Sequence, residues 1–294
     1  LEDYENPIQR AAIEGTSTIW RDMKVWEDHI YVTTDNTQQN NNYDGLLIID
    51  MSNAPDDITF EFQRETFNVG NGNEQLGSCH NIYIDEDGYA YLAGCNVGEG
   101  DIIILDLADK DNPVFVGATN DRYSHDVYVK DSIMYTSDVY DGIFSIYDVR
   151  DRANPVFING APTSFDFTHN AWSSDDGDYL FTTDERGNAY VDAFDISDPL
   201  DIQKIDSYRP LDTEGRGVIP HNSHYLNGYL IVSWYTDGFK VIDAHRPDNL
   251  VEVAKYDTWL GQDGDFNGCW GAYPYFASGK MLASDINSGL YILD

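Results

Sequence analysis

Short apolar runs separated by polar turns repeat along the whole chain. Within most runs apolar and polar residues alternate, and β-branched and aromatic residues are frequent, as in "IMYTSD" and "GFKVID". Alternation of this kind in short runs is typical of β-strands, and no long stretch shows the 3.6-residue period of an amphipathic helix. The pattern therefore predicts an all-β protein.

Six segments share the same order of runs and turns. Each has a first strand, a polar turn, a second and a third strand, and in most segments a fourth strand that follows Asn-Pro or an equivalent pair. The segments start near residues 20, 79, 124, 168, 220 and 269. Four antiparallel strands in a repeat of about 45 residues are typical of a propeller blade. We therefore expect residues 1–294 to form a single six-bladed β-propeller.

The last segment ends at Asp294 after only three strands. Residues 6–15, "NPIQRAAIEG", resemble the fourth strands of the other segments. We expect this N-terminal strand to complete the last blade and to close the ring, because closure removes exposed strand edges. The two long linkers, residues 66–78 and 257–268, are rich in Gly, Asn, Asp or Gln and are expected to be surface loops.

Several strings resemble a known group of proteins. "GLLIID", "GIFSIYDV" and "GFKVID" resemble LVIVD repeats, and "SCHNIYID", "SHDVYV" and "VIPHNSHYLNGYLIVSWYTDG" are similar to the choice-of-anchor B family. The resemblance covers essentially the whole chain. It implies a propeller that is secreted and attached to the bacterial cell surface, and it implies no established activity.

The charge balance excludes one class of partner. The chain has 17 Lys and Arg against 52 Asp and Glu, a formal net charge of −35. A nucleic-acid partner is excluded because a phosphate backbone requires a basic surface. The acidity is typical of a solubility shell in salty water, and it also suits cation binding. The chain contains no run of about 18 apolar residues, so the sequence predicts no transmembrane helix. We expect the protein to be extracellular or at the cell surface.

The three cysteines are Cys79, Cys95 and Cys269. Cys79 and Cys95 flank a predicted hairpin that places them near each other. A disulfide between them would suit an oxidising compartment. Three free buried thiols remain the alternative.

Five of the seven histidines belong to the first-strand motif. They are His80, His125, His169, His221 and His224. Antiparallel pairing about the hairpin turns predicts that His125 faces Asp138 and that His169 faces Asp184. The same reasoning opposes Arg21 to Asp35, His80 to Cys95 and Trp270 to Asp285. His29, in a turn, and His245 are expected at the surface.

Two interpretations of the repeated histidines remain open. A His–Asp hydrogen bond that ties each blade together would recur for packing reasons alone. Alternatively, the histidines converge on one mouth of the propeller and bind a divalent transition metal, because neutral imidazole suits Zn, Cu, Fe or Ni. The predicted metal site contains His80, His125, His169, His221 and His224, with Asp138 and Asp184 as carboxylate partners. Glu185 and Asp285 are expected at the same mouth.

Asp-rich turns are candidates for Ca²⁺. "DEDG", "SSDDGD" and "QDGDFNG", the last at residues 262–268, offer oxygen ligands. None has EF-hand spacing, and Asp-Gly is ordinary turn chemistry.

No recognised catalytic motif occurs in the chain. The sequence alone therefore favours a non-catalytic binding or scaffold protein outside the cell, with an extracellular protein or a carbohydrate as its ligand. The alternative is a metal-dependent lyase, hydrolase or oxidase with a His-ligated ion at the channel mouth.

Overall fold

The computed structural model of the protein describes residues 6–35, 44–70 and 72–294. These residues form 25 β-strands and no helix. Six antiparallel sheets form the blades of a six-bladed β-propeller, and five of the six have four strands. The predicted fold class is confirmed.

The strands follow the predicted segments. The first three sheets contain β1 (Met23–Trp26), β2 (His29–Val32), β3 (Leu46–Asn53) and β4 (Asp57–Gln63); β7 (Asn81–Ile84), β8 (Tyr89–Ala93), β9 (Ile103–Asp106) and β10 (Val114–Ala118); and β11 (Asp126–Lys130), β12 (Ile133–Asp138), β13 (Ile143–Asp148) and β14 (Val156–Pro162).

The last three sheets contain β15 (Thr168–Ser173), β16 (Tyr179–Asp184), β17 (Val191–Asp195) and β18 (Gln203–Tyr208); β19 (Ser223–Leu226), β20 (Tyr229–Ser233), β21 (Phe239–Asp243) and β22 (Val251–Tyr256); and β23 (Cys269–Tyr273), β24 (Met281–Asp285) and β25 (Gly289–Leu293). A seventh, two-stranded sheet contains β5 (Thr66–Asn68) and β6 (Asn73–Gln75).

The chain divides into two compact units. The first contains Leu1–Met134 and Tyr147–Val156, and the second contains Tyr135–Ile146 and Phe157–Asp294. Each unit has its own buried apolar clusters. In the first, Tyr31, Ile82 and Leu92 belong to one cluster. In the second, Phe181 and Trp234 belong to another. Each such aliphatic or aromatic side chain contributes roughly 1.5–3 kcal/mol by leaving water.

The structure does not confirm the expected role of the N-terminal residues. Residues 6–22 contain no strand, so closure of the last blade by residues 6–15 is not confirmed. The contacts of the following residues lie in the first unit, where Thr16 donates from its backbone N–H to Asp44 (2.7 Å) and Thr18 donates to the carbonyl of Asp35 (2.8 Å).

The linker at residues 66–78 is not a plain surface loop. It contains the β5–β6 hairpin, in which Thr66 pairs with Gln75. Phe67, Val69 and Leu76 are buried in the core of the first unit. These three apolar side chains anchor a stretch whose Gly and Asn content predicted a loop. The second linker, residues 257–268, contains no strand.

Cys79, just before β7, and Cys95, just after β8, form a disulfide. Cys269 is a free, buried thiol. Burial raises its pKa to about 12, so the thiol is protonated at neutral pH.

Among the described residues there is no helix of the length and apolar character needed to cross a membrane.

Candidate metal centre

Asn170 ties two first strands of the second unit together. Its Oδ1 accepts hydrogen bonds from the backbone N–H and from the hydroxyl of Ser223, each at 3.0 Å. Both residues are buried. These bonds fix the relative position of β15 and β19. His169, one residue before Asn170, is thereby brought next to His221, two residues before Ser223. The rings of His169 and His221 lie with their centroids 4.4 Å apart.

A β-bulge sets the direction of His169. Thr168 lies opposite Asp184, whereas Asn170 lies opposite Thr183, so His169 is the extra residue of the bulge. A bulge re-aims a side chain and ends regular pairing. The prediction that His169 faces Asp184 is therefore wrong by one residue.

The same irregularity recurs in the last sheet. Cys269, not Trp270, lies opposite Asp285, and the register shifts before Gly271. In the second sheet His80 donates its backbone N–H to the carbonyl of Ala93, and Asn81 pairs with Ala93. His80 therefore does not face Cys95.

Arg21 does not face Asp35 either. Asp22 and Trp20 accept the backbone N–H groups of Thr33 and Asp35, so the register is shifted by one residue. The guanidinium of Arg21 instead lies 3.9 Å from Asp44. In the fifth sheet Ser223 pairs with Val232, but His221 donates its backbone N–H to the carbonyl of Ser233, and the N–H of Ser233 donates to the carbonyl of Asn222. His221 therefore lies opposite Ser233, and the simple antiparallel count that opposes it to Trp234 is off by one residue.

Glu185 lies between the two histidines of the second unit. Its Oε2 is 3.7 Å from Nε2 of His169, and its Oε1 is 3.8 Å from Nε2 of His221. These separations are longer than hydrogen bonds. They are close to the distance of about 3.4 Å that separates two ligands of a tetrahedral Zn²⁺ site. The three side chains are largely buried, with 5%, 17% and 7% of the side-chain surface of His169, Glu185 and His221 exposed. Together they form a group with the spacing needed to hold a metal ion.

Tyr235 orients the carboxylate of this group. Its hydroxyl donates a hydrogen bond of 2.5 Å to Oε1 of Glu185. Burial and the negative charge of Glu185 raise the pKa of Tyr235 far above its usual value, so the hydroxyl remains a donor. The backbone of Tyr235 has φ of 26°, a conformation that non-glycine residues rarely adopt. The surrounding turn must therefore hold it in place.

Trp270 defines the protonation state of His221. The indole Nε1–H donates to Nε2 of His221 at 2.8 Å. An indole N–H is only a donor, so Nε2 carries a lone pair and the imidazole is not protonated there. Metal ligation requires an unprotonated imidazole nitrogen. An ion at Nε2 would take the place of the indole N–H.

A buried lysine holds the turn that carries Tyr235. Lys240 is fully buried, and its Nζ lies 2.9 Å from Asp237 and 3.2 Å from Glu252. Asp237 also accepts the hydroxyl of Thr213 at 2.9 Å. Burial raises the pKa of Asp237, and the charge of Lys240 opposes that shift. The ion pair anchors one end of the turn, and Trp234, at the other end, accepts the N–H of Asp237.

The carboxylates predicted to support the histidines have other partners. Asp184 accepts the hydroxyl of Thr163 (2.6 Å) and the backbone N–H groups of Phe165 (3.0 Å) and Phe167 (2.9 Å). Burial raises the pKa of Asp184, although these hydrogen bonds act to lower it. Asp184 thus ties the loop before β15 to the end of β16.

Asp138 and Asp285 are held in the same manner. Asp138 is buried and accepts the hydroxyls of Thr136 (2.9 Å) and Ser145 (2.6 Å). Asp285 accepts the backbone N–H groups of Asn287 (2.8 Å) and Ser288 (2.7 Å). Asp138 thus links β12 to β13, and Asp285 stabilises the turn after β24. The predicted contact of Asp138 with His125 stays a prediction.

His224 is separate from the His169–Glu185–His221 group. It lies on β19 and packs against Trp172, with ring centroids 4.6 Å apart, and against Tyr275 at 5.6 Å. The structure thus places His224 in an aromatic cluster.

In the first unit, His80 and His125 form a second imidazole pair. Their ring centroids are 3.9 Å apart, and Nδ1 of His80 lies 2.9 Å from Oδ2 of Asp35. Oδ1 of Asn81 accepts the backbone N–H of Val127 at 3.3 Å, which links the two first strands. The gathering of all five histidines at one mouth stays a prediction.

The two histidines expected at the surface behave differently. His29 is buried in β2, with Nδ1 at 2.8 Å from Asp28 and Nε2 at 3.1 Å from Asp111. The surface prediction for His29 is therefore wrong, because two carboxylates satisfy its ring nitrogens away from water. His245 is exposed and bonds to Asp243 at 2.8 Å, as expected.

The acidic turns proposed for Ca²⁺ are tied to protein partners. In the 262–268 loop, Asp263 pairs with Arg216 at 3.1 Å, and Asp265 accepts the backbone N–H of Phe266. In "DEDG", Asp85 pairs with Arg152 at 2.8 Å. Among the residues described, the groups with metal-ligand spacing are built around histidines.

Comparison with known proteins supports the fold. No family model and no curated protein sequence matches the chain. The structure is similar to that of the periplasmic gluconolactonase of Pseudomonas aeruginosa, with a TM-score of 0.66 and 13% identity over 90% of this chain and 77% of that one.

Two further structures are similar. A putative 6-phosphogluconolactonase from Bacteroides fragilis gives a TM-score of 0.58 at 13% identity, over 80% of this chain and 70% of that one. A protein from Lactobacillus plantarum gives 0.67 at 10% identity, over 91% of this chain and 81% of that one. At these identities the likeness shows the fold alone. Membership of the choice-of-anchor B family stays a prediction.

Proposed function

We propose that the protein is a metal-dependent hydrolase whose ion is held by His169, Glu185 and His221. The observation that carries the proposal is the position of the Glu185 carboxylate, 3.7 Å and 3.8 Å from the Nε2 atoms of the two histidines. A structural His–carboxylate tie would form a direct hydrogen bond, as His29 does with Asp28 at 2.8 Å. The wider spacing leaves room for an ion.

The donor set fits the chemistry. Two imidazoles and one carboxylate are the protein ligands of several catalytic zinc sites, and they leave a coordination position open. A bound Zn²⁺ would lower the pKa of a coordinated water to about 7. Tyr235 would keep Glu185 oriented by its hydrogen bond. Trp270 supports the unprotonated state of Nε2 in His221 before an ion binds.

The structural neighbours favour a substrate class. Two similar structures carry the names gluconolactonase and putative 6-phosphogluconolactonase. We therefore infer that the substrate is a lactone derived from a sugar, whose ring ester is opened by water. This substrate is also consistent with the carbohydrate ligand expected from the sequence.

The location proposed is outside the cytoplasm. The disulfide between Cys79 and Cys95 suits an oxidising compartment, and one similar protein is named as periplasmic. Only the sequence resemblance supports attachment to the cell surface and an extracellular protein partner.

The sequence alone favoured a non-catalytic scaffold, and the His–Glu–His group supports the enzyme instead. A second function has support from the same donor set. Two histidines and one carboxylate with open positions are also the ligands of non-haem Fe(II) oxygenases. The metal that the protein retains would distinguish a hydrolase from an oxygenase.

The experiment measures metal content and lactone hydrolysis together. Protein expressed with added Zn²⁺, Fe²⁺, Mn²⁺ and Ni²⁺ is dialysed and analysed by plasma mass spectrometry, and hydrolysis of glucono-1,5-lactone is followed by pH-stat. We expect about one zinc per chain and hydrolysis above the spontaneous rate. Glu185→Gln should lose both, whereas His245→Ala, at an exposed histidine, should keep both. A parent protein without a stoichiometric metal would overturn the proposal.

A further inference from the structure

The guanidinium of Arg186 lies over an aromatic ring. Its guanidinium carbon lies 4.0 Å from the centroid of Phe167, and the residue is exposed. No ion pair joins Arg186 to a carboxylate within the described part of the chain. In a protein with 52 acidic and 17 basic residues, an arginine without a carboxylate partner is unexpected.

Other arginines of the second unit behave as the charge balance predicts. Arg209 pairs with Glu214, Arg216 pairs with Asp263 at 3.1 Å, and Arg246 pairs with Asp248 at 3.4 Å. Stacking on Phe167 restricts the rotamers of Arg186 and leaves the in-plane N–H donors available to a ligand. Arg186 thus differs from these three arginines, each of which is paired with a carboxylate.

Arg186 and Phe167 lie in the same two chain segments as the proposed ligands Glu185 and His169. Arg186 directly follows Glu185, and Phe167 precedes His169 by two residues. Asp184 connects the segments, because its backbone carbonyl accepts the N–H of Arg186 (2.8 Å) and its Oδ1 accepts the N–H of Phe167 (2.9 Å). The residues that carry the guanidinium and the two metal ligands therefore belong to the same two segments, which Asp184 joins.

We propose that Arg186 binds an oxyanion of the substrate, a phosphate or a carboxylate carried at a distance from the ester that is hydrolysed. The inference rests on the proposed function, since it assigns the substrate class of the same site. A planar guanidinium binds either oxyanion with two parallel hydrogen bonds. The net charge of −35 repels anions from the protein as a whole, so an anionic substrate requires a local cation of this kind.

The test compares three lactones that differ in one group. Glucono-1,5-lactone is neutral, its 6-phosphate carries a phosphate, and glucarolactone carries a carboxylate. We expect one of the two anionic lactones to have a KM at least about tenfold below that of the neutral lactone, the effect of a charge-assisted hydrogen bond. Arg186→Gln should remove this difference and leave kcat for the neutral lactone unchanged. Arg186→Lys should restore it in part.

Arg246→Gln is the matched control, because Arg246 is exposed and paired with Asp248. A binding measurement separates this inference from the proposed function. Calorimetry with 6-phosphogluconate, glucarate and gluconate needs no turnover, and it is repeated on Glu185→Gln. Binding of 6-phosphogluconate or glucarate that depends on Arg186, without lactone hydrolysis, would support the anion site and refute the hydrolase.

The inference itself is overturned by two results. One is hydrolysis of all three lactones with KM values that Arg186→Gln does not change. The other is calorimetry in which neither 6-phosphogluconate nor glucarate binds more tightly than gluconate. Either result would mean that Arg186 only packs on Phe167. The lactone or acid that does respond identifies the anion as phosphate or carboxylate.

Discussion

Asn170 on β15 accepts two hydrogen bonds from Ser223 on β19. Its Oδ1 accepts the N–H and the hydroxyl of Ser223 at 3.0 Å each. Asn81 makes a similar contact, because its Oδ1 accepts the backbone N–H of Val127. The amide aligns adjacent first strands, and the preceding histidine is carried into contact with the next one.

Removing this amide should destabilise the protein and separate the histidines. In Asn170→Ala, the N–H and hydroxyl of Ser223 lose their acceptor in a buried site, at a cost of about 1–3 kcal/mol. We expect a lower free energy of unfolding in urea. Asn222→Ala is the control, because Oδ1 of Asn222 is buried with no hydrogen-bond partner, and its loss should cost little. Equal stability of the two variants would refute the bridging role.

Tyr235→Phe should weaken metal binding more than it weakens the fold. The variant keeps the ring and removes the hydroxyl that donates to Glu185. Loss of a hydrogen bond to a metal ligand typically lowers affinity by about 10–100-fold. Competition with a chromophoric chelator measures the zinc affinity. Tyr229→Phe, at a half-exposed tyrosine that packs on His245, should bind zinc as the parent does. An unchanged affinity in Tyr235→Phe would remove Tyr235 from the site.

The alternation of apolar and polar residues was sufficient to predict the strands and the blades. It was not sufficient for the register, because a bulge such as that at His169 adds one residue without a characteristic sequence. The same limit applies to buried polar residues. His29 is buried in a short strand, and its Nε2 contacts Asp111, a residue distant in sequence.

The candidate site was predictable only in part. His169 and His221 were expected as ligands from the repeated His motif, and Glu185 was expected at the same mouth. The roles of Tyr235 and Trp270 had no sequence signal, because "WYTDG" is typical of any tight turn. Their positions depend on tertiary contacts, including the buried ion pair of Lys240 with Asp237.

Lys240→Met should be strongly destabilising. The substitution leaves Asp237 and Glu252 without their buried cation. Removal of one partner of a buried ion pair costs about 3–5 kcal/mol. The matched control is Lys255→Met, because Lys255 pairs with Asp212 at the surface and such pairs contribute about 0–1 kcal/mol. Thermal unfolding followed by circular dichroism compares them. Similar melting temperatures for the two variants would show that Lys240 does not anchor the turn.

Asp101 should make the stability of the first unit depend on pH. Burial raises its pKa from 3.8 to about 6, and the charges of Asp121 and Glu99 act in the same direction. Between about pH 4 and 6 the folded protein retains a proton that the unfolded chain releases. Stability therefore falls as pH rises through this window, by about 1–3 kcal/mol for a shift of this size.

Asp101→Asn does not titrate and should lack this loss. We expect its stability relative to the parent to increase between pH 4 and pH 7 in urea titrations. Asp57→Asn, at an exposed position of β4, provides the comparison for a general reduction of negative charge. If both variants gain equally with pH, the effect belongs to net charge and not to Asp101.

The central claim is that one ion is bound by His169, His221 and Glu185. Anomalous diffraction from zinc-loaded crystals, recorded on both sides of the zinc absorption edge, tests it most directly. We expect one anomalous peak at about 2.0–2.2 Å from Nε2 of each histidine and from a carboxylate oxygen of Glu185. The peak should disappear in Glu185→Gln crystals. A fully occupied zinc at other residues, with none at this group, would show that the three side chains form no metal site.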